Sequence, residues 1–251
     1  MKMKSVVKKL LPARITREIG SMLVERREKQ LGQLSLRDAF DEVYKQRMWK
    51  QGDADSGVGS EGLPAERYIS LVKEYAASHR LRTVVDGGCG DFRVGSQLAP
   101  NFERYTALDV SPHIVALNNQ RYADLVRKNV TFATADMTAA TFPHADLVLI
   151  RQVLQHLTNA QIGKILANLF ASDWRRVLIT ESVHAPDDNP SPNLDLPTHT
   201  VRTRTSLGSG VFLDKPPFSL PARRIATIYS TANGRVERGG LLMMELSRDR
   251  D

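Results

Sequence analysis

The sequence predicts an α/β protein with a doubly wound sheet of seven strands and a helical N-terminal arm. Between residues 82 and 181, strand-like apolar runs alternate with segments of helical period, a pattern typical of right-handed crossovers in a parallel sheet. Two closing strand-like runs, 223–230 and 240–246, are joined by residues 231–239. That connection is too short for a parallel crossover, so it predicts an antiparallel hairpin at the end of the chain.

The composition of the 251-residue chain is that of a globular protein, with 41% apolar and 25% charged residues. No run approaches the roughly 18 apolar residues of a membrane-spanning helix. The single cysteine, Cys89, excludes an internal disulfide framework and a CxxC zinc site, and it fits a reducing compartment. We therefore expect a cytoplasmic protein.

Positive charge is concentrated in the first 32 residues. This arm has nine Lys or Arg and three Asp or Glu, a net charge of +6 out of +7 for the chain. Its apolar residues fall mostly at helical steps, and a basic amphipathic segment of this kind can lie at an anionic membrane surface. We expect either peripheral contact with the inner face of the membrane or an arm that is solvated or packed on a partner.

Membrane contact through the arm predicts salt-sensitive binding to anionic vesicles. Each basic residue near such a surface contributes on the order of 1 kcal/mol. The full-length protein should therefore co-sediment with anionic vesicles at low salt, and neither with neutral vesicles nor after removal of residues 1–32. A full-length protein that stays in the supernatant under all conditions contradicts membrane contact.

The other elements divide the chain into an N-terminal part, 1–63, and a larger domain, 64–251. Helical spacing predicts a helix over 36–49, and the Gly, Ser and Asp residues of 51–63 predict a loop. Pro64 is expected to open the next helix, because the first helical turn leaves its N–H groups unpaired and proline has none.

Five strands and two further helices follow in the larger domain. Ser111 and Pro112 begin a helix that continues to about Val126, and Thr158 caps another. Residues 183–221 hold seven of the twelve prolines without a helical period. A loop of this length in a compact domain is usually functional, and we expect it on the substrate side. The five strands are predicted at 82–86, 104–109, 130–135, 146–151 and 176–181.

A glycine-rich turn after the first strand is the strongest chemical signal. Residues 84–91 have the sequence Val-Val-Asp-Gly-Gly-Cys-Gly-Asp. Ligands of such sheets bind at the carboxyl ends of the strands, where glycines let the backbone approach. Arg93 replaces the third glycine of the dinucleotide fingerprint, and Asp86 would repel a pyrophosphate. The turn therefore favours a cationic ligand over a structural turn that binds nothing. The residues expected to surround this ligand are Asp86, Gly87, Gly88 and Gly90.

Acidic residues end the second and third strands. Asp109 is placed to accept hydrogen bonds from both hydroxyls of a ribose, and its neighbour Val110 is assigned to the same ligand. Asp136 and Met137 could bond an adenine amine and pack on its ring. The alternative for these acids is a capping or surface role.

A resemblance to the class I S-adenosylmethionine-dependent methyltransferases rests on four motifs, VVDGGCG, ALD, ADM and DLVLIRQVLQHL. It covers about 64–182 and, by pattern only, 222–247, and it implies a Rossmann-like sheet. A closer resemblance is to bacterial methyltransferases associated with polysaccharide biosynthesis. The residues that carry this likeness are Trp49, the Ser-Gly-Val-Gly-Ser loop at 56–60, the segment 151–157 and Pro-Phe-Ser-Leu-Pro at 217–221. The chain departs from that family at Gln152, where an aspartate is expected.

The resemblance implies a location for each part of S-adenosylmethionine. Arg151 and Gln152 should border its methyl group, at the end of the fourth strand. The methionine part is expected near Asp86, Gly88 and Gly90, the ribose at Asp109, and the adenine at Asp136 and Met137.

Three residues are candidates for catalysis. His156 is the first, because histidine titrates near neutrality and suits a general base; the alternative is a packing or capping histidine at a helix start. Gln152 and Glu181 are the others, the latter at the end of the fifth strand. His184 with the aspartates of the following loop could bind a hard metal ion, but nothing in the spacing demands one, and we expect no metal.

We therefore expect methyl transfer to a hydroxyl of a carbohydrate or another small metabolite, with a free or lipid-linked acceptor. One alternative is a non-catalytic module that binds the cofactor or a partner. Another is a nucleic-acid methyltransferase, which the near-neutral charge of residues 33–251 disfavours.

Overall fold

The computed structural model of the protein describes residues 26–50, 54–184, 191–232 and 235–249. Most of the basic arm, and with it the amphipathic helix predicted there, lies outside the described residues. The described chain begins with a helical segment, 26–31.

A sheet of seven strands forms the centre of the structure. The strands are β1 (Thr83–Gly87), β2 (Arg104–Asp109), β3 (Val130–Thr134), β4 (Ala145–Arg151), β5 (Trp174–His184), β6 (Arg223–Ala232) and β7 (Arg235–Ser247). Their order across the sheet is β3-β2-β1-β4-β5-β7-β6. The first five are parallel, and β7 is antiparallel to both β5 and β6. The predicted doubly wound sheet with a closing antiparallel hairpin is therefore confirmed.

The direction of winding reverses between β1 and β4. From β1 the chain proceeds outward to β2 and β3, and then returns to place β4 on the other side of β1. The connections after β1 and β4 therefore leave the sheet in opposite directions, which opens a crevice at the carboxyl ends of these two strands.

The helices are α1 (Leu36–Lys45), α2 (Gly62–Ser78), α3 (Arg93–Leu98), α4 (Pro112–Arg121), α5 (Ala123–Val126) and α6 (Asn159–Phe170). Helices α2 and α6 cover opposite faces of the sheet. The predicted apolar stripe of α2, including Tyr68 and Val72, is buried on one face. The stripe of α6, including Ile162 and Ile165, is buried on the other face. Burial of these stripes explains why the helices form in these places.

The predicted helix starts agree with the observed caps. The Ser111 hydroxyl accepts from the Ile114 N–H, and Pro112 is the first residue of α4. Thr158 forms a capping box with Gln161 at the start of α6. Helix α2 begins two residues before Pro64, where the missing N–H of proline still costs no helical hydrogen bond.

Several predicted boundaries are wrong. The helix expected over 36–49 ends at Lys45, and the fifth strand, expected over 176–181, spans Trp174–His184. The helix expected from Pro112 to Val126 breaks at Tyr122 into α4 and α5. The connection expected over 231–239 is much shorter, because Thr231 already pairs with Val236 and only residues 233–234, which lie outside the described residues, separate the strands.

The long proline-rich segment is folded back onto the domain. Strand β5 extends to His184, so the predicted loop begins later than expected; residues 185–190 lie outside the description. Beyond them, Asp195 accepts from the Asn159 N–H at 2.7 Å, and the Thr200 N–H donates to the His156 carbonyl at 2.9 Å. These bonds hold the segment beside the carboxyl ends of the strands. Among the described residues, no helix has the length and apolar character needed to cross a membrane.

Candidate functional site

A cavity of about 390 Å³ lies at the carboxyl ends of the central strands, within the usual size range of ligand pockets. Of the twelve residues predicted for the site, two do not border it, Gly87 and Glu181. The ten that do are Asp86, Gly88, Gly90, Asp109, Val110, Asp136, Met137, Arg151, Gln152 and His156. The structure therefore brings most of the predicted site residues together, although these residues follow four different strands.

The glycine turn presents its backbone to this cavity. Gly88 has a φ of +78° and Gly90 a φ of +55°, which side chains disfavour. A Cβ atom on Gly88 would overlap a methyl group of Val153, and one on Gly90 would overlap the Ser56 hydroxyl. Both positions therefore require glycine for conformation and for space.

Asp109 is anchored so that its carboxylate faces the cavity. One oxygen accepts from the Gly90 N–H and the other from the Ser111 N–H, each at 3.0 Å. Burial raises the pKa of Asp109 to about 6, although these N–H groups favour the charged form. Each oxygen has lone-pair capacity for a further donor, as a ribose diol would require.

Asp86 lies deeper in the same wall. The Tyr105 hydroxyl donates to it at 2.9 Å, and burial raises its pKa to about 6, against the effects of that hydrogen bond and of Arg151. Burial thus disfavours the charged form of both carboxylates, Asp86 and Asp109. A cationic ligand suits them, because its charge would lower the cost of their ionisation.

At the third strand end, Asp136 accepts from the N–H and the hydroxyl of Thr138, at 2.8 and 2.7 Å. These bonds fix the turn after β3, and the carboxylate still borders the cavity. The neighbouring Met137 also packs behind Gly87, where a Cβ atom would meet its sulfur at 2.5 Å. Gly87 therefore supports the site from behind the cavity wall.

Arg151 and Gln152 border the cavity at the end of β4. The Arg151 guanidinium lies 4.9 Å from the centroid of the Tyr68 ring and donates to the Gly59 carbonyl. Its Nε has no hydrogen-bond partner among the described residues, and burial lowers its pKa. Gln152 has a φ of 54° and donates to the Ser182 hydroxyl at 3.1 Å.

His156 is buried with its ring held by a backbone group. Its Nδ1 lies 2.9 Å from the Arg202 carbonyl, which can only accept, so this nitrogen carries the proton. Burial lowers the pKa of His156 to about 4, although hydrogen bonding of the ring to the backbone of Arg202 and Thr200 favours the charged form. The ring is therefore neutral near pH 7, with an unprotonated Nε2.

Glu181 lies beneath the turn that follows β4. Its side chain is fully buried, and its carboxylate accepts from the N–H groups of Val153, Leu154 and Gln155 at 3.0, 2.8 and 3.1 Å. Burial raises its pKa to about 7, although these N–H groups stabilise the charge. Since it does not border the cavity, the geometry assigns Glu181 to positioning this turn rather than to contact with a ligand.

Sequence reasoning missed the contribution of residues 36–50 and 54–60, which we call the N-terminal cover. Tyr44, Trp49 and Ser56 from this cover border the cavity. The Asp91 carboxylate anchors the N-terminal cover by accepting hydrogen bonds from the N–H groups of Asp55 and Ser56, at 2.8 and 3.3 Å. The amphipathic spacing of 36–49 was the available signal for this packing, because the apolar face of such a helix must be buried against another surface.

No group of metal-ligating side chains occurs in the part of the chain that the structure describes. Of the four residues considered for such a site, His184, Asp187, Asp188 and Asp195, the two at positions 187 and 188 lie outside that part. His184 uses its Nε2 to contact the Thr205 carbonyl at 2.7 Å, and Asp195 accepts from the Asn159 N–H.

Comparisons with known proteins agree with this geometry. Residues 84–172 match a family model described as a methyltransferase domain, and this segment contains all the predicted site residues except Glu181. A search of curated protein sequences finds no match.

Solved structures with the same fold include several methyltransferases. The magnesium protoporphyrin IX methyltransferase ChlM from Synechocystis PCC 6803, with bound S-adenosylhomocysteine, is 16% identical with a TM-score of 0.55; the match covers 84% of this chain and 98% of that one. The N-methyltransferase NodS from Bradyrhizobium japonicum WM9, also with S-adenosylhomocysteine, is 16% identical with a TM-score of 0.55, over 82% and 99% of the two chains.

The methyltransferase domain of bacterial CtHen1 is 17% identical with a TM-score of 0.53, and the match covers 73% of this chain and all of that one. At 16–17% identity, the likeness to these proteins is one of fold. Residues 84–172 thus match methyltransferase domains, and the sheet they help to form has the fold of methyltransferases crystallised with S-adenosylmethionine or S-adenosylhomocysteine.

Proposed function

We propose that the protein binds S-adenosylmethionine and transfers its methyl group to a hydroxyl of an uncharged, carbohydrate-like acceptor. The observation that carries the proposal is the composition of the cavity. One end is formed by Asp86, the glycine turn and Asp109, and the other by the neutral imidazole of His156. The resemblance to methyltransferases associated with polysaccharide biosynthesis supports the acceptor class.

The residues present fit S-adenosylmethionine. Backbone at Gly88 and Gly90 borders the cavity where any side chain would collide with a neighbour. Asp109 faces the cavity with free acceptor capacity for ribose hydroxyls, and Asp86 matches the positive charge of the methionine part. When bound, this cofactor supplies an electrophilic sulfonium methyl.

The chain's own residues then have three tasks: to orient the acceptor, to exclude water and to take up the hydroxyl proton. His156 suits the last task, because its Nδ1 is engaged by the Arg202 carbonyl and its Nε2 can accept a proton. The cover, together with Val201 and Thr203, borders the cavity on the side away from the sheet and limits the access of water.

Identification of the methylated product tests the proposal. The protein is incubated with methyl-labelled S-adenosylmethionine and a cell-envelope extract, and the labelled product is analysed by mass spectrometry and NMR. A methyl ether on a sugar is the expected product. Label on nitrogen or in nucleic acid contradicts the acceptor class, and tight cofactor binding without any methylated product supports the non-catalytic alternative.

Replacement of Asp109 with alanine should weaken cofactor binding by about 1.5–3 kcal/mol, the range for hydrogen bonds to a charged group. The physical reason is the loss of both acceptors for the ribose hydroxyls. Calorimetric titration with S-adenosylhomocysteine measures the effect.

An analogue that lacks the ribose hydroxyls is the control for this prediction. It should bind the wild-type protein and the Asp109→Ala variant equally, because the contact in question is already absent. If the variant still prefers the complete ligand as strongly as the wild type does, Asp109 only holds the turn at Gly90 and Ser111.

A further inference from the structure

Gln155 belongs to the wall of the cavity, next to His156. Its side chain is 2% exposed and borders the cavity. Its Nε2 lies 3.4 Å from both the Gln152 carbonyl and the His156 Nε2. Because the Gln152 carbonyl can only accept, the amide nitrogen must be the atom that faces it. The amide oxygen is buried and has no hydrogen-bond partner among the described residues.

An unpartnered buried amide oxygen is costly, because it has lost its hydration without gaining a hydrogen bond. Such groups in native proteins call for an explanation. Glu181 bonds to the Gln155 N–H from beneath and thereby fixes this residue in the cavity wall. The position of the oxygen is therefore built into the fold.

The neighbouring His156 adds a second hydrogen-bond acceptor. Its Nδ1–H is used by the Arg202 carbonyl, so its Nε2 accepts, and the Gln155 amide makes a long contact of 3.4 Å with it. Gln155 Oε1 and His156 Nε2 are thus adjacent acceptors that both need hydrogen from a ligand.

Aromatic side chains surround this pair of acceptors. The Trp49 ring lies 5.0 Å from the His156 ring at an interplanar angle of 34°, and the Phe40 ring lies 6.4 Å from it. The Trp49 Nε1–H donates to the Val201 carbonyl at 3.1 Å, which fixes the indole. The groups that pack around His156 are uncharged, and the nearby Lys50 is exposed at the rim.

We propose that Gln155 Oε1 and His156 Nε2 form an acceptor subsite that binds two neighbouring hydroxyls of an uncharged sugar ring, with Gln155 as a specificity-determining residue. Vicinal hydroxyls supply the two donors that the subsite needs, and the C–H face of a pyranose packs on a fixed aromatic ring. An ionised carboxylate supplies no hydrogen to these two acceptors and would lose its hydration among the uncharged groups around His156. This inference rests on the proposed function, which it makes specific.

Titration with simple glycosides tests the subsite. The probes are methyl pyranosides of gluco, galacto, manno and fuco configuration, the corresponding uronates, and 2-amino analogues. The chain has two tryptophans, and Trp174 packs against Arg248 outside the cavity lining. A Trp174→Phe background therefore lets the fluorescence of Trp49 report binding. Titrations are run with and without S-adenosylhomocysteine.

At least one neutral pyranoside should perturb Trp49, and its charged analogues should bind at least about tenfold more weakly. Gln155→Leu should weaken the neutral ligand by about tenfold or more, equivalent to about 1.4 kcal/mol. The matched control is Gln97→Leu, which removes an exposed amide from α3 and should change nothing. Thermal unfolding of both variants establishes that they fold.

The subsite is refuted if no neutral pyranoside perturbs Trp49, if the uronates or amino analogues bind as well, or if Gln155→Leu binds like the wild type. Failure of the proposed function gives a different result. In that case calorimetry shows no binding of S-adenosylhomocysteine, whereas the glycoside titration without cofactor is unaffected.

Discussion

Replacement of Gly88 with valine should abolish cofactor binding, with a loss of at least about 100-fold in affinity, while the sheet stays folded. Gly88 has a φ of +78°, and a Cβ there would overlap the Val153 side chain. A branched side chain therefore displaces the turn. It also occupies the space in which the ligand would contact the backbone of the turn. Calorimetric titration with S-adenosylhomocysteine measures the loss, and circular dichroism and thermal unfolding monitor the fold.

Gly163→Val is the matched control for this change. Gly163 is exposed on α6, and a Cβ atom there would meet nothing within 4 Å. This variant carries the same substitution and should bind the cofactor with wild-type affinity. A Gly88→Val protein that binds normally would falsify the assignment of the glycine turn to the cofactor.

The parts of the fold that sequence predicts well are those fixed by local periodicity and burial. Strand β4 is a nearly continuous apolar run because both of its faces are covered, and its four residues from Leu147 to Ile150 are fully buried. Capping residues such as Ser111 and Thr158 work through bonds within three residues. Each of these features leaves a local pattern in the sequence.

The hairpin shows where local pattern misleads. Gly239 was predicted to end the connection and Gly240 to begin the closing strand, yet both lie well within β7. A Cβ atom at Gly239 would lie 2.9 Å from the Val183 carbonyl oxygen, and one at Gly240 would lie 2.7 Å from that of Ile228. These glycines permit close approach of neighbouring strands. Glycine serves both in turns and where strands approach closely, so only the strand pairing shows which role a given glycine has.

The site also has a part that the sequence predicts and a part that it does not. The ends of parallel strands meet at one edge, so Asp86, Asp109 and Asp136 could be placed together from their positions alone. The contacts that define the other end join residues far apart in sequence, such as Trp49 with Val201 and His156 with Arg202. No spacing rule predicts them. Glu181 was predicted to be catalytic, because its position at a strand end gives no indication that its carboxylate accepts hydrogen bonds from three backbone N–H groups.

His156→Asn should reduce turnover by about 100-fold, the usual scale for loss of a general base, with little change in cofactor affinity. Asparagine can keep the hydrogen bond that Nδ1 makes to the Arg202 carbonyl, but it has no atom in place of Nε2. His156→Gln is the complementary variant, because its longer amide reaches the position of Nε2. The reaction measured is methylation of the extract fraction that the wild-type protein modifies, at saturating cofactor.

The pH profile separates catalysis by His156 from a role in packing against Trp49. The pKa of His156 is about 4 because the ring is buried, so the neutral form is already complete well below pH 6. The contribution of His156 to turnover at saturating cofactor should stay constant from about pH 8 to pH 5 and fall only as the pH approaches 4, when Nε2 takes up a proton. A change between pH 5 and pH 8 that the His156→Asn variant shares comes from the buried carboxyl groups Asp86, Asp109 and Glu181, whose pKa values are about 6, 6 and 7. His156→Asn should be slow throughout this range. Normal turnover in His156→Asn, together with a lower melting temperature from the lost ring contact, would show that His156 only packs.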